Sequence, residues 1–451
     1  MNKWIHKIIK EDNFLSLMGN LIIASFGFGG FALLARSLRP DDFAEWVIFI
    51  SGGSLIEMLR YGITNNGLVR FMSGSKEEEK EKLIGSNIIL STSATVIILL
   101  LMGTFYLMFY NAISQSVYAL FFTWYPVLAV VNLPWNNAVV LQQARMKYDK
   151  ILLIRAINSV FFFSFLLINF IMLNLNLQEI IKIFIGFNLI TSIVCILKSW
   201  DGLAYVPKSN KKTLKTLLNF GKYSTFTLIG TNLLRNADVL IISVSPFGSA
   251  AVALFSIPLK LSELQQVPLR SFAATAFPKM SKASMEERIA DVQNLFHVYS
   301  GAMTYFFFFL SFGTFLFAKQ FIILISGYEY LDESVHGISI VNIVRILSIY
   351  GLLLPIDRMT GIGLDSLNKP NINALKVFIM LFTNILGDLI AIYVFESIEM
   401  VAVSTLIFTA VGIAVGWYFL DKKFEISIFT MIKSTNSFYK NLWIRSFKKS
   451  M

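Results

Sequence analysis

The sequence predicts an all-α membrane protein of about twelve transmembrane helices in two six-helix halves, with both termini cytoplasmic. Three observations predict it: an apolar composition, apolar runs of spanning length that recur along the chain, and lysines and arginines confined to alternate loops. Of the 451 residues, 55% are hydrophobic and only 15% charged, against about a quarter charged in soluble domains. A chain so poor in charge cannot cover itself with polar surface, so most of its solvent is lipid.

The runs fall near 14–35, 43–69, 84–109, 118–142, 151–173, 179–197, 218–243, 249–277, 292–318, 335–363, 371–395 and 401–420. Each is long enough to cross a hydrocarbon core of about 30 Å. The first, from Phe14 to Leu34, is too long for a signal-peptide core and lacks a small-residue cleavage site, so it reads as the first span. The runs at 43–69, 249–277 and 335–363 hold charges, Gly and Pro.

One side of the membrane takes Lys3, Lys7 and Lys10, then Arg70, Lys76, Lys80 and Lys82, then Arg145, Lys147 and Lys150. The same side takes Lys198, Lys208, Lys211, Lys212 and Lys215, later Lys279, Lys282, Arg288 and Lys369, and finally the tail. The opposite side has Arg36, Arg39 and Lys319. This bias sets the orientation and supports an even number of spans.

The expected organisation is an interfacial segment at 1–13, an N-terminal bundle at 14–200, a cytoplasmic linker at 201–217, a C-terminal bundle at 218–420 and a basic tail at 421–451. In the tail, Ile428, Phe429, Ile432, Tyr439, Leu442 and Trp443 recur at helical intervals among cations, the pattern of a helix lying on anionic lipid. A shift of 206 residues pairs Pro40 with Pro246, Ala44 with Ala250, Phe49 with Phe255, Glu57 with Glu263 and Phe71 with Phe277. Both matched stretches run from the first outer loop through the second span of a half. They point to duplicated six-span bundles, which transporters use to expose one cavity to each side in turn.

Several function classes drop out. Cys195 is the single cysteine, so no internal disulfide forms, and His6, His297 and His336 have no metal-ligand spacing. No nucleophile–base pair or carboxylate dyad is evident, so no catalytic residue and no metal are assigned and the chain is not read as an enzyme. The net charge of +11 would suggest nucleic acid in a soluble protein, but here the cations sit in short loops, and nucleic acid is not expected as a partner.

Two stretches carry a family resemblance. The first is Leu34-Ala35-Arg36-Ser37-Leu38-Arg39-Pro40-Asp41-Asp42-Phe43, followed after a span by Gly67-Leu68-Val69-Arg70-Phe71. The second runs from Asn236-Ala237-Asp238 through Pro246-Phe247-Gly248, Ala253-Leu254-Phe255-Ser256 and Lys260-Leu261 to Phe277-Pro278-Lys279-Met280-Ser281. These resemble the polysaccharide-transporter family, the Wzx-type O-antigen flippases of the multidrug/oligosaccharidyl-lipid/polysaccharide exporter superfamily. The chain departs from the family pattern at Arg39, where Gly is usual, and at Phe255, where Tyr is usual. The resemblance implies a MATE-like pair of six-helix bundles in a bacterial inner membrane. It implies a flippase for undecaprenyl-pyrophosphate-linked oligosaccharide, an O-antigen or other polysaccharide repeat unit, working by alternating access and driven by an ion gradient (H+ or Na+) or by the membrane potential. Membrane lipids, and the polysaccharide polymerase and chain-length machinery of lipopolysaccharide biosynthesis, are the implied partners.

The most informative residues are the charges inside spans, each costing about 2.5–3.5 kcal/mol at the bilayer centre on insertion scales. Arg155, Lys182, Lys222 and Lys376 lie near span ends and are expected to snorkel. The deeper cations, Arg60, Arg235, Lys260, Arg270, Arg345 and Arg358, outnumber the acids among them and are the candidate pyrophosphate ligands of a cationic cavity. Glu57, Asp238, Glu263 and Asp388 are the candidate ion-coupling carboxylates. Six of these candidates form three oppositely charged pairs three residues apart: Glu57 and Arg60, Arg235 and Asp238, and Lys260 and Glu263. Each could equally be an internal ion pair holding helices together. A drug or organic-cation antiporter of the same superfamily is the rival, although it would want an acidic or apolar cavity. A membrane polymerase or ligase would need a larger outer loop than 319–334.

Overall fold

The computed structural model describes residues 12–62, 64–72, 75–331 and 337–435. Most of the expected N-terminal interfacial segment and the tail beyond 435 lie outside them. The chain packs as two compact units, Met1–Asn236 and Ala237–Met451.

The first unit opens with α1 (Asp12–Ser37) and α2 (Pro40–Tyr61). Pro40 starts α2, where a missing N–H costs nothing, and Asp41 and Asp42 lie at the positive end of its dipole. The helix is interrupted after Tyr61 and the span is completed by α3 (Asn65–Met72). Then come α4 (Glu77–Met108), α5 (Ala119–Val131) and α6 (Leu133–Ala144), with α5 and α6 meeting at a turn on Asn132 that Pro134 enforces. α7 (Tyr148–Ile168) ends in a short π-turn, Asn169–Leu173. Asn174, with φ of 50°, reverses the chain into α8 (Leu177–Leu197), which begins with a capping box between Asn176 and Glu179.

The long helix α9 (Lys211–Ser243) carries the chain into the second unit. There follow α10 (Gly248–Met285), α11 (Ile289–Leu316), α12 (Ile340–Ser366), α13 (Pro370–Tyr393) and α14 (Ile398–Asp421). The side chains of Ser339 and Ser397 cap α12 and α14. Seven helices, α4, α7, α8, α11, α12, α13 and α14, are long and apolar enough to span on their own. The remaining crossings are α1, the broken pairs α2–α3 and α5–α6, and the polar helices α9 and α10. Together these give the twelve spans of an all-α membrane protein.

The outside is greasier than the inside. Leu100, Leu101, Leu107 and Met108 of α4 and Phe308, Phe309 and Phe312 of α11 are exposed, while Asn87, Ser91, Thr95, Asn188 and Thr191 are buried. Small residues let spans approach: a Cβ on Gly387 of α13 would strike Ser404 of α14, and one on Gly416 would strike Thr360. The core of the second unit gathers Phe296, Met303 and Phe307 of α11 around Met359, Leu364 and Leu420.

The unit boundary falls inside α9, not at the expected linker 201–217. Residues Leu203–Lys208 form a 3₁₀ turn against α4, and a Cβ on Gly85 would collide with the Tyr205 carbonyl. Ser86 and Thr213 hydroxyls are 2.6 Å apart, and Leu217 joins the core of Leu68, Leu83, Ile84 and Leu141. The supposed linker is therefore packed into the first unit. In the tail, residues 428–435 are helical: Met431 and Thr435 are buried, while Ile428, Phe429 and Ile432 are exposed.

Candidate functional site

Among the described residues, one buried polar centre in each unit joins candidate residues to side chains from several helices. In the first unit Arg60, on α2, is wholly buried. Its Nη1 donates to Glu57 Oε1 at 2.7 Å and its Nε to Thr95 Oγ1 at 3.0 Å. Its Nη2 donates to Tyr61 Oη at 3.2 Å and to the Ala129 carbonyl at 2.5 Å. That carbonyl lies in the last turn of α5, just ahead of the Asn132 turn, so Arg60 ties α2 to α4 and α5. Four of the five N–H groups of an arginine fork are then committed. Glu57 retains some exposure, 24% of its side chain, and also accepts from Tyr125 Oη at 3.3 Å and Asn136 Nδ2 at 3.4 Å.

In the second unit Asp238 of α9 and Asp388 of α13 are buried, 4% and 0% exposed. Asn384, one turn before Asp388, donates its Nδ2 to Asp238 Oδ1 at 3.0 Å and stands 3.4 Å from both Asp388 oxygens. Thr405 of α14 donates to Asp238 Oδ2 at 3.3 Å, and Ser404 donates to the Asn384 carbonyl at 3.3 Å. Among the described residues no lysine or arginine forms an ion pair with either carboxylate, and the buried Asn384 Oδ1 has no hydrogen-bond partner. Two carboxylates this deep are tolerable only with a shared proton or a bound cation. The oxygen donors, with one amide oxygen vacant, fit a hard cation such as Na+ and equally hold a proton between acids.

The other candidates are dispersed. Lys260 Nζ pairs with Glu263 at 2.8 Å along α10. Arg345 of α12 is exposed, with its guanidinium 5.5 Å from the Phe315 ring centroid. Arg235, Arg270 and Arg358 also have exposed side chains. Lys376 does not snorkel: it is 3% exposed, its Nζ 2.6 Å from Asp357 Oδ1 and 2.8 Å from Thr360 Oγ1. Asp357 is the carboxylate that burial of a lysine demands. Sequence reasoning passed over Asn132, Asn136, Asn384 and Thr405. Their signal was present, since an amide inside an apolar span needs a partner as much as a charge does.

Solved structures share this fold. An inward-facing multidrug-resistance MATE family transporter of the MOP superfamily aligns with a TM-score of 0.72 at 15% identity, over 88% of this chain and 93% of that one. Lipid II flippase MurJ in an inward closed conformation aligns with 0.72 at 13% identity, over 96% and 93%. A MOP superfamily transporter from Pyrococcus furiosus, described by the reverse polarity of its binding pocket, aligns with 0.63 at 16% identity, over 90% and 93%. No curated protein matches the sequence. The chain is thus a multi-pass, all-α membrane protein with the fold that these transporters share. Residues 9–284, well over half of the chain, match the family described as polysaccharide biosynthesis protein. The chain belongs to that family.

Proposed function

We propose that the protein flips an undecaprenyl-pyrophosphate-linked oligosaccharide, an O-antigen or other polysaccharide repeat unit, from the inner to the outer leaflet by alternating access. The observation that carries the reading is membership of a polysaccharide biosynthesis family by a chain with a transporter fold. Exposed arginines on α9, α10 and α12 support it. Arg235, Arg270, Arg345 and Arg358 offer the forked donors that suit a diphosphate. Arg60 and Lys260 are held by acids, so in this reading they fix helix geometry rather than meet the lipid's phosphates.

Coupling belongs to the centre in the second unit. Glu57 and Glu263 are neutralised by a cation 2.7 and 2.8 Å away. Among the described residues Asp238 and Asp388 have no such partner, and they can exchange H+ or Na+ as α9, α13 and α14 shift against one another.

The test is genetic and chemical. In a strain lacking the gene, lipid-linked glycan accumulates in the cytoplasmic leaflet, and the wild-type gene restores its export. Arg270→Ala lowers export at least tenfold with the protein still in the membrane. Restored resistance to a cationic drug, with glycan export untouched by deletion, would assign the chain to the antiporters instead.

A further inference from the structure

The two interrupted spans of the first unit meet at one place. α2 breaks after Tyr61, and α5 gives way to α6 at Asn132. Between the breaks lies a pocket of about 260 Å³ walled by Glu57, Tyr61, Asn132, Trp135 and Asn136. The α5–α6 break falls midway along its span and the α2–α3 break about two-thirds of the way along its own; discontinuous helices of transporters commonly form substrate sites.

The chemistry of the walls is specific. Trp135 Nε1 donates to Asn132 Oδ1 at 3.0 Å, which pins the indole plane before any ligand arrives. Glu57 has one carboxylate oxygen shared by Arg60 and Tyr125, and the other receives Asn136 at 3.4 Å, a long contact that a ligand hydroxyl can replace; the Asn132 amide also donates to this carboxylate. An aromatic face, primary amides and a carboxylate are what a pyranose ring requires. Its C–H face lies on the electron-rich indole, and its hydroxyls are donors and acceptors at once.

Charge narrows the ligand further. Arg60 neutralises Glu57 at 2.7 Å, so the pocket presents no net charge to an organic cation. The same guanidinium is buried behind the carboxylate with four N–H groups committed, so it offers little to a phosphate. The volume falls just short of the roughly 300 Å³ at which drug-sized pockets begin, and suits a single ring.

We propose that this pocket is a subsite for one uncharged pyranose ring of the transported glycan; the proposal rests on the flippase reading above. The phosphates and the sugar are thereby recognised by different residues.

The full chain in lipid nanodiscs tests it, with a panel of neutral methyl pyranosides (glucose, galactose, mannose, N-acetylglucosamine and N-acetylgalactosamine types), tetraethylammonium and inorganic pyrophosphate as probes. Trp135 is one of 7 tryptophans, so its emission is isolated as the difference from Trp135→Phe. At least one pyranoside is expected to change that difference saturably in the millimolar range, with neither ion doing so. Asn136→Leu, with an unchanged melting temperature, should weaken the response at least tenfold. If Asn136→Leu melts early, Trp135→Phe alone decides through protection of the pocket in a Met58→Cys variant from a membrane-permeant maleimide. Pyranoside should slow that labelling at least threefold, and should not when Trp135 is replaced. No saturable response to any pyranoside, a response that survives both substitutions, or a response to tetraethylammonium instead would overturn the subsite. Glycan export measured in cells keeps the two readings apart: export intact with no pyranoside response removes the subsite alone, whereas pyranoside binding without any export defect on gene deletion removes the flippase.

Discussion

At Arg60 a single side chain joins three spans of the first unit: it gives hydrogen bonds to Glu57, Thr95, Tyr61 and the Ala129 carbonyl while wholly buried. Arg60→Ala therefore leaves Glu57 without its cation and the Ala129 carbonyl without the Arg60 N–H. Removing one partner of a buried pair costs about 3–5 kcal/mol. The partial exposure of Glu57 brings the expected loss to the lower end, about 3 kcal/mol, read as an early melt in mild detergent. The double change Glu57→Met with Arg60→Met should recover more than half of it. A melt for Arg60→Ala equal to wild type would show that the network does not hold these helices. The pair was legible in the sequence because three residues along a helix put Glu57 and Arg60 on one face. The same logic gave Lys260 with Glu263. It could not reveal that Asp238 bonds to Asn384 and Thr405, which are 146 and 167 residues away. Nor could it show that Lys376 reaches Asp357 across 19 residues instead of the headgroups. Periodicity assigns faces within a helix, and which faces meet is decided by packing.

Between elements, the close approaches rest on glycine. Gly85 of α4 faces the Tyr205 carbonyl of the 3₁₀ turn, and backbone on both sides has nowhere to go. Gly85→Ala is expected to cost about 1–3 kcal/mol as an overpacked contact. It should also expose the Lys208–Ser209 bond to protease in inside-out vesicles, while wild type stays intact there; equal cleavage would mean the turn is not docked. Gly301 of α11 plays the same part for the tail helix, since a Cβ there would strike the Met431 carbonyl and Thr435. Gly301→Val should release residues 428–435, read as faster maleimide labelling of a Met431→Cys variant, and no change in labelling would place the helix elsewhere. Composition and loop charge were enough to predict the spans, because a bilayer forces every long apolar run into a helix. They set a cytoplasmic linker at 201–217 between the halves, where Lys208, Lys211, Lys212 and Lys215 look solvated. Small residues such as Gly85 and Ser86, which seat that stretch against α4, carry no periodic signal.

For the proposed transport cycle, the decisive property is whether the Asp238–Asn384–Asp388–Thr405 centre holds an ion. A ligand that binds only the folded chain stabilises it by RT ln(1 + [L]/Kd), about 2.7 kcal/mol at a hundredfold excess over Kd. If Na+ binds beside Asn384 Oδ1, replacing choline chloride by sodium chloride at constant ionic strength raises the melting temperature of the purified protein. Asp388→Asn should abolish that dependence without lowering the melt in choline, because it removes a buried anion and leaves the shape of the centre intact. If a proton is the ligand, sodium has no effect in either protein; acidification stabilises the wild type, and Asp388→Asn is insensitive to both. In either case glycan export by Asp388→Asn falls at least tenfold, since a centre that cannot exchange its ion cannot transmit a gradient to α9, α13 and α14. Wild-type export by this variant, together with a melt in which it and the wild type respond alike to sodium and acid, would remove the centre from the transport cycle. The carboxylates would then be structural, neutralised once on folding and never again.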